Sequence, residues 1–344
     1  MAQAYDADVT TDGGTRPQGS GANGRFGRFR RFWSFGDGMW RRGIVTAVLA
    51  LAVAVVMAFH GAVPNRIGNL GSLLETFLPW LGLALPVLLV VGVLRRSATA
   101  LIAVLLPIVV WLHFFGGLLT DKDAGGGDLT VLTHNVNADN PDPARTAQDL
   151  IGSGADLVAL EEIPAGKVSV YESGLKARYP YSAVLGTVGL WSRYPLSQVR
   201  PVDIRLGWTR ALRATATTPH GKVAVYVAHL PSVRVKFNAG FTAGERDRSA
   251  DALGEAVADE KLPDVILMGD LNGTMNDRAL ANITSQMRST QGAAGDGFGF
   301  SWPAGFPTAR IDQILVRGAE PTASWVLPAT GSDHRPVAAK VALP

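Results

Sequence analysis

Val265-Ile266-Leu267-Met268-Gly269-Asp270-Leu271-Asn272 (VILMGDLN) reads as a buried strand that ends in reactive side chains. Four consecutive apolar residues, two of them β-branched, ask for a strand covered on both faces. The Gly-Asp-Leu-Asn that follows places Asp270 and Asn272 two residues apart, on the same side of the turn. An Asp there can orient and deprotonate a water, while an Asn amide can donate to the charged oxygens of a phosphorus centre. The plainer reading of the same tetrad is an Asx turn.

Working outward, the same arrangement recurs. Asn135 follows LTVLTH, Glu162 lies just beyond DLVAL, and His229 ends VAVYVA. Strands are expected at residues 129–134, 156–160, 189–192, 213–217, 222–229, 264–269, 311–316 and 337–343, with helices at 144–152 and 245–259. Strands alternating with helices predict an α/β (α+β) domain, and the excess of strands predicts two stacked sheets. Residues at strand ends in such a domain converge on one rim although they are scattered in sequence.

The rim residues divide by chemistry. Glu162, Asp333 and the amide oxygen of Asn135 are hard oxygen donors, which suit Mg2+ or Mn2+. Ser332-Asp333-His334-Arg335-Pro336 sets a carboxylate beside an imidazole, so Asp333 is expected at the metal and His334 at a phosphate. Asp312, in Ile311-Asp312-Gln313, is a candidate to bond the His334 ring and favour its charged form. His229 is a candidate to protonate a leaving oxygen or bind the phosphate, and Arg210 and Arg213 are weaker candidates for a phosphate clamp. Phe298, Phe300, Trp302 and Phe306 in FGFSWPAGF are expected to fill the core. The chain has no cysteine, which excludes disulfides, thiolate metal sites and cysteine nucleophiles.

Residues 1–120 differ in kind. They hold 10 Lys/Arg against 5 Asp/Glu, whereas residues 121–344 hold 22 against 24, so the C-terminal part sits near −2. A balance of that sign disfavours a nucleic-acid polymer as partner. Residues 1–42 lack apolar periodicity and are expected to be a disordered tail. Apolar runs at 43–59, 77–94 and 98–119 are each long enough to predict a transmembrane helix. Together they form a three-helix anchor over 43–119, joined to the domain at 129–344 by a linker at 120–128. Arg41, Arg42, Arg95 and Arg96 flank the runs such that the positive-inside rule puts the N-terminus in the cytoplasm and the C-terminal domain outside it. The lipid bilayer is then a partner.

The motifs THNVN (Asn135), LEE (Glu162), GLWSRYPL, AHL (His229), GDLN (Asp270, Asn272), RIDQIL (Asp312) and SDHRP (Asp333, His334) together resemble the endonuclease/exonuclease/phosphatase superfamily, the fold of deoxyribonuclease I. The resemblance implies a four-layer α-β-β-α sandwich and in-line phosphoester hydrolysis. It implies Asn135, Glu162 and Asp333 near the metal, Asp270 and Asn272 at the water, and His229, Asp312 and His334 at the phosphate. Glu161 stands where the family has Gln. Three N-terminal spans also look like actinobacterial membrane proteins of this superfamily linked to teicoplanin resistance. The expected activity is thus a membrane-tethered, Mg2+- or Mn2+-dependent hydrolase of an envelope phosphoester, a polyprenyl phosphate or pyrophosphate of cell-wall synthesis. A surface nuclease acting on DNA or RNA and a non-catalytic envelope binding protein are the alternatives.

Overall fold

A computed structural model describes residues 38–65, 69–232 and 243–344. Twelve strands form two six-stranded sheets. The strands are β1 (Leu129–Asn135), β2 (Leu157–Glu161), β3 (Tyr181–Leu185), β4 (Val188–Ser192), β5 (Leu196–Pro201), β6 (Ala211–Thr218), β7 (Gly221–Ala228), β8 (Val265–Asp270), β9 (Arg288–Ser289), β10 (Asp312–Arg317), β11 (Glu320–Val326) and β12 (Val337–Ala342). The first sheet runs β11-β12-β1-β2-β4-β3 and the second β5-β6-β7-β8-β10-β9. Each is mixed: β1–β2 and β7–β8 are parallel, while their other neighbours pair antiparallel.

Apolar side chains at alternate positions of both sheets meet between them. Val131, Ala159 and Leu190 of the first pack with Leu212, Val225, Ile266 and Ile314 of the second, all with no exposed surface. Helices cover the outer faces. Pro143–Gly152 and Val168–Leu175 pack Ala147, Leu150, Tyr171 and Leu175 on the first sheet, and Ala243–Ala258 packs Ala250, Leu253 and Val257 on the second. The helix at Pro143 starts where it does because Asp142 accepts the Arg145 N–H at 2.9 Å and Pro143 needs no donor partner in the first turn.

The N-terminal region departs from the sequence expectation. It contains α1 (Ile44–Ala58), α2 (Leu70–Thr76), a 3-10 turn at Leu78–Leu83, α3 (Ala84–Leu94) and α4 (Ala98–Phe115). One helix, Ala98–Leu118 at 21 residues, is long and apolar enough to cross a membrane. Leu70–Thr76 and Leu78–Leu94 are bent by 69° at their junction, and Ile44–Ala58 is a shorter apolar helix. The physical reason is length: at 1.5 Å per residue, α3's 11 residues rise only ~17 Å and α1's 15 only ~22 Å, against a hydrocarbon core of ~30 Å. Three continuous crossings are therefore replaced by one candidate, or two if the bent pair is one broken span. The multi-pass topology is overturned by this, the extracytoplasmic assignment built on three crossings loses its basis, and one candidate helix is too little to make the bilayer a partner. Residues 1–37 of the expected tail lie outside the described residues.

These helices pack on one another through Ala50, Leu88 and Val104, leaving Val48, Leu51, Val87, Leu94, Leu105 and Val109 on outward faces. They also dock onto the sandwich. Phe298, half-buried rather than in the sheet core, packs with Met57, Leu78 and Phe115, and Phe300 stacks on Trp80 with ring centroids 5.7 Å apart. Phe306 is exposed.

Candidate active site

The sandwich brings Asn135, Glu162, His229, Asp270, Asn272, Asp312, Asp333 and His334 to one rim. β1 and β2 are parallel and in register at Asn135 and Glu161, which carries Glu162 just past the sheet edge. Across the second sheet, Asp270 and Asp312 are directly opposed on β8 and β10. Gly269, at φ +147°, is required there because a Cβ would sit on the Ala228 carbonyl oxygen of the neighbouring strand.

Asp270 is the hub. Its Oδ1 accepts the Asn272 N–H at 2.9 Å, so the Asx turn is present. Its Oδ2 accepts from Asn135 Nδ2 at 3.0 Å and lies 3.7 Å from His229 Nε2 and 3.8 Å from His334 Nε2. The Asx turn occupies one oxygen of this carboxylate and leaves the other facing the two imidazoles. The Asn272 side chain lines the cleft and donates from Nδ2 to the Leu230 carbonyl at 2.9 Å, tying two loops together.

The two imidazoles differ in charge. Burial alone would lower the pKa of His334, but Asp312 and Asp270 overrule it and hold it at about 10, so the ring is cationic at neutral pH. Its Nδ1–H donates to Asp312 Oδ2 at 2.9 Å, and Asp312 also accepts from Ser301 Oγ. Burial also works against Asp312, yet the adjacent imidazolium keeps its carboxyl below the usual range. His229 is held well below its ordinary pKa by burial, by the guanidinium of Arg210 packed on its ring, and by His334, and it is neutral. Burial lifts Asp270 to about 7 against the opposing pull of His334.

Glu162 and Asp333 face the same cleft. Glu162 lies 3.4 Å from His229 Nε2, and Asp333 Oδ1 accepts from Asn137 Nδ2 at 2.9 Å. Three non-glycine residues at this rim sit at positive φ: Asn137 (59°), Glu162 (58°) and Asn272 (46°). Each such conformation costs on the order of 1–3 kcal/mol and persists only where the surroundings dictate it. Glu161, by contrast, points inward. It is fully buried, accepts from Thr133 Oγ1 at 2.9 Å, and burial, reinforced by Asp312, raises its pKa far enough to keep it a neutral carboxyl. A neutral carboxyl has the shape and donor-acceptor character of an amide, and of the two neighbouring acids it is Glu162 that faces the cleft.

The donor set fits a hard divalent cation. Asp270, Asp312 and His334 offer ligand atoms all within 4.8 Å of one another. Asp312, however, is already engaged by His334 and Ser301, which leaves the carboxylates facing the cleft, Asp270, Glu162 and Asp333, as the available oxygens. The Asn135 Oδ1 accepts the Asn137 N–H at 3.0 Å and keeps a second lone pair.

Arg213 lies elsewhere. Its guanidinium is buried against Glu260 and closed off by Gln198, so it reaches no substrate. Sequence reasoning missed Asn137, whose signal was a second Asn two residues after the first, a residue type enriched at positive φ. It also missed Trp208, exposed at the rim with the Arg210 guanidinium 5.1 Å from its ring centroid. Ser72, Leu73, Thr76 and Phe77 of the helical region line the cleft as well, and no local signal foretold this contact.

Two mixed sheets with carboxylates, amides and a charged imidazole converging on one rim define the site of a phosphoester hydrolase. Residues 132–334 match the Endonuclease/Exonuclease/phosphatase family, and the chain belongs to it. The activity of that family is metal-dependent phosphoester hydrolysis. No curated protein matches the chain in sequence. Among solved structures, the endonuclease/exonuclease/phosphatase from Bacteroides vulgatus is 16% identical with a TM-score of 0.53, covering 64% of this chain and 100% of that one. D. rerio TDP2 complexed with single strand DNA product is 17% identical with a TM-score of 0.52, covering 62% and 98%. Beta toxin from Staphylococcus aureus is 17% identical with a TM-score of 0.51, covering 62% and 99%. At these identities the likeness is one of fold. None of the three speaks for a teicoplanin-resistance subgroup. The expectation that nucleic acid is disfavoured is corrected here: a net charge near −2 averages over the whole domain, whereas Trp208 and Arg210 sit together at the rim, and the same fold holds single-stranded DNA in D. rerio TDP2.

Proposed function

We propose that the chain is a divalent-cation-dependent phosphodiesterase acting on single-stranded nucleic acid. The observation that carries the hydrolytic reading is the Asp270 carboxylate, bonded by Asn135 and Asn272 and within 4 Å of both His229 and His334. Glu162, Asp333 and Asn135 would hold the cation, Mg2+ or Mn2+. When bound, it supplies Lewis-acid polarisation of a phosphoryl oxygen.

The remaining chemistry belongs to side chains. Asp270, with a pKa near neutrality, is matched to take a proton from the attacking water. As the water oxygen bonds to phosphorus, the bond to the leaving alcohol breaks, and the leaving oxygen takes a proton from the His334 imidazolium. Asp270 then returns its proton to His334 Nε2 across the 3.8 Å between them, which restores both groups. Asp312 fixes the ring and its charge. Neutral His229 donates to a phosphoryl oxygen.

Trp208 and Arg210 favour a nucleic-acid strand. An exposed indole beside a guanidinium offers a stacking face and a phosphate partner in one place. The envelope polyprenyl substrate depended on three membrane crossings and has no remaining basis. The test is Mg2+-dependent hydrolysis of a linear single-stranded oligonucleotide, abolished by chelation. Absence of turnover on the strand, with hydrolysis of a small chromogenic diester retained, would rule out the nucleic-acid reading and leave the phosphoesterase.

A further inference from the structure

The cleft has a wall that the sandwich does not supply. It is a cavity of about 470 Å³ lined on one side by Glu162, Asp270, Asn272, Asp333 and His334, and on the other by Ser72, Leu73, Thr76 and Phe77 of α2 and the residue after it. Ser232, Trp302 and Ile311 complete its lining. This volume lies in the range of small-ligand pockets, about 300–1,000 Å³.

The wall is pinned at two places. The fully buried Arg246 donates from Nη2 to Ser72 Oγ at 2.9 Å and from Nη1 to the Asn272 carbonyl at 2.9 Å, so one guanidinium fixes α2 to the catalytic loop. The same guanidinium is held by Asp277 at 2.6 Å. Thr274 Oγ1 donates to the Glu75 carbonyl at 3.1 Å. On the far side, Trp80 Nε1 donates to the Thr308 carbonyl at 2.7 Å and its ring stacks on Phe300. Side chains tied this way at both ends form a fixed boundary.

The charge pattern runs the same way. Among the described residues lining the cavity there is no Lys or Arg, while Leu73, Phe77, Trp302 and Ile311 are apolar. A continuous strand carries a phosphate at every nucleotide and needs cations along its path. Arg210, beside Trp208, does not line this cavity. On the phosphodiesterase reading, phosphates would lie on the Trp208 side and an uncharged end group on the α2 side.

We infer that α2 and Phe77 act as an end-stop, so that the site hydrolyses a phosphodiester at the terminus of a strand and rejects one with chain on both sides. This rests on the phosphodiesterase reading above, with Leu73 and Phe77 as its specificity-determining residues. The test compares the full-length wild type with Leu73→Ala/Phe77→Ala on two substrates. One is a linear single strand bearing a p-nitrophenyl ester on its terminal phosphate, and the other is a closed circular single strand of the same sequence. The wild type is expected to release p-nitrophenol much faster than it cuts the circle, and the double variant to raise the circle-to-terminus ratio by about tenfold or more, equivalent to ~1.4 kcal/mol in the barrier. Leu73→Trp, which adds bulk, is expected to move the ratio the other way, so misfolding of one variant does not decide the result. Cutting of the circle by the wild type as fast as release of the terminal ester would overturn the end-stop. Failure on both strands would instead sink the nucleic-acid reading. The wall is then judged on ethyl p-nitrophenyl phosphate against bis(p-nitrophenyl) phosphate: the double variant must gain on the two-armed diester relative to the one-armed one, and an unchanged ratio overturns it.

Discussion

Two of the buried ion pairs among the described residues, Asp312 with His334 at the rim and Glu260 with Arg213 behind β6, differ in what surrounds the cation's remaining donors. Arg213 spends its fork on Glu260, at 2.9 and 3.1 Å, on Gln198 at 3.0 Å and on Thr215, so each of its three nitrogens is engaged inside the protein. His334 spends Nδ1 on Asp312 and presents Nε2 toward the cleft and Asp270. The same acid-base pairing is therefore structural where the protein completes it and chemical where it leaves one donor over. Sequence alone gave both Arg213 and His334 as candidates, because both lie near strand ends.

The sharpest way to break this comparison is at Asp312. Asp312→Asn is expected to lower kcat by about 10²–10⁴, since the imidazole loses its charge partner and its orientation. The pH profile should move with it. In the wild type His334 stays cationic up to about pH 10, so activity that needs the imidazolium is present below that pH and lost as pH rises through it. Without Asp312 the largest influence opposing burial is gone and the loss should shift to lower pH; an unchanged alkaline limb would remove the pair from the mechanism.

At the other pair the effect belongs to stability. Glu260→Gln is expected to cost about 3–5 kcal/mol in denaturant unfolding, because it leaves a buried guanidinium without its counter-charge, while kcat stays close to wild type. Burial works against the Glu260 charge, but Arg213 and the Leu262 N–H overcome it and hold the carboxyl at about 2. A depressed folded-state pKa contributes stability that is present above about 4.5 and lost as pH falls toward 2. The variant should accordingly show a shallower acid limb of stability, and loss of activity without loss of stability would contradict the assignment.

Trp208→Ala is expected to weaken single-strand binding by about 1–3 kcal/mol, or roughly 5- to 150-fold, with less effect on a small chromogenic diester. Fluorescence anisotropy on a labelled oligonucleotide reads this directly. Smallest of all, Thr133→Val should cost about 0.5–1.5 kcal/mol by removing the hydrogen bond to Glu161 Oε1, without moving kcat.

What was legible in the sequence follows from locality. Buried central strands such as Val265–Asp270 announce themselves as apolar runs, and the residues that end them are therefore readable as a group. Edge elements are not. Leu196–Pro201 is largely exposed and Glu320–Val326 begins beside Pro321 and carries a register shift, so neither shows the alternation of a half-buried strand. Apolar content in residues 43–119 was read as length, whereas the bend after Thr76 depends on how Leu78–Leu83 packs. Asn137 and the wall at Ser72–Phe77 required tertiary information, since their partners lie about 190 residues or more away in the case of Asp333 and Asn272.

The most direct measurement is Mg2+-dependent hydrolysis of a single-stranded phosphodiester by the full-length protein, set beside His334→Ala and Asp270→Asn of matched thermal stability. Turnover that chelation abolishes and both variants lose by a factor of about 10² or more is the predicted result. Equal turnover in all three proteins would contradict the assignment of the rim as the hydrolytic site.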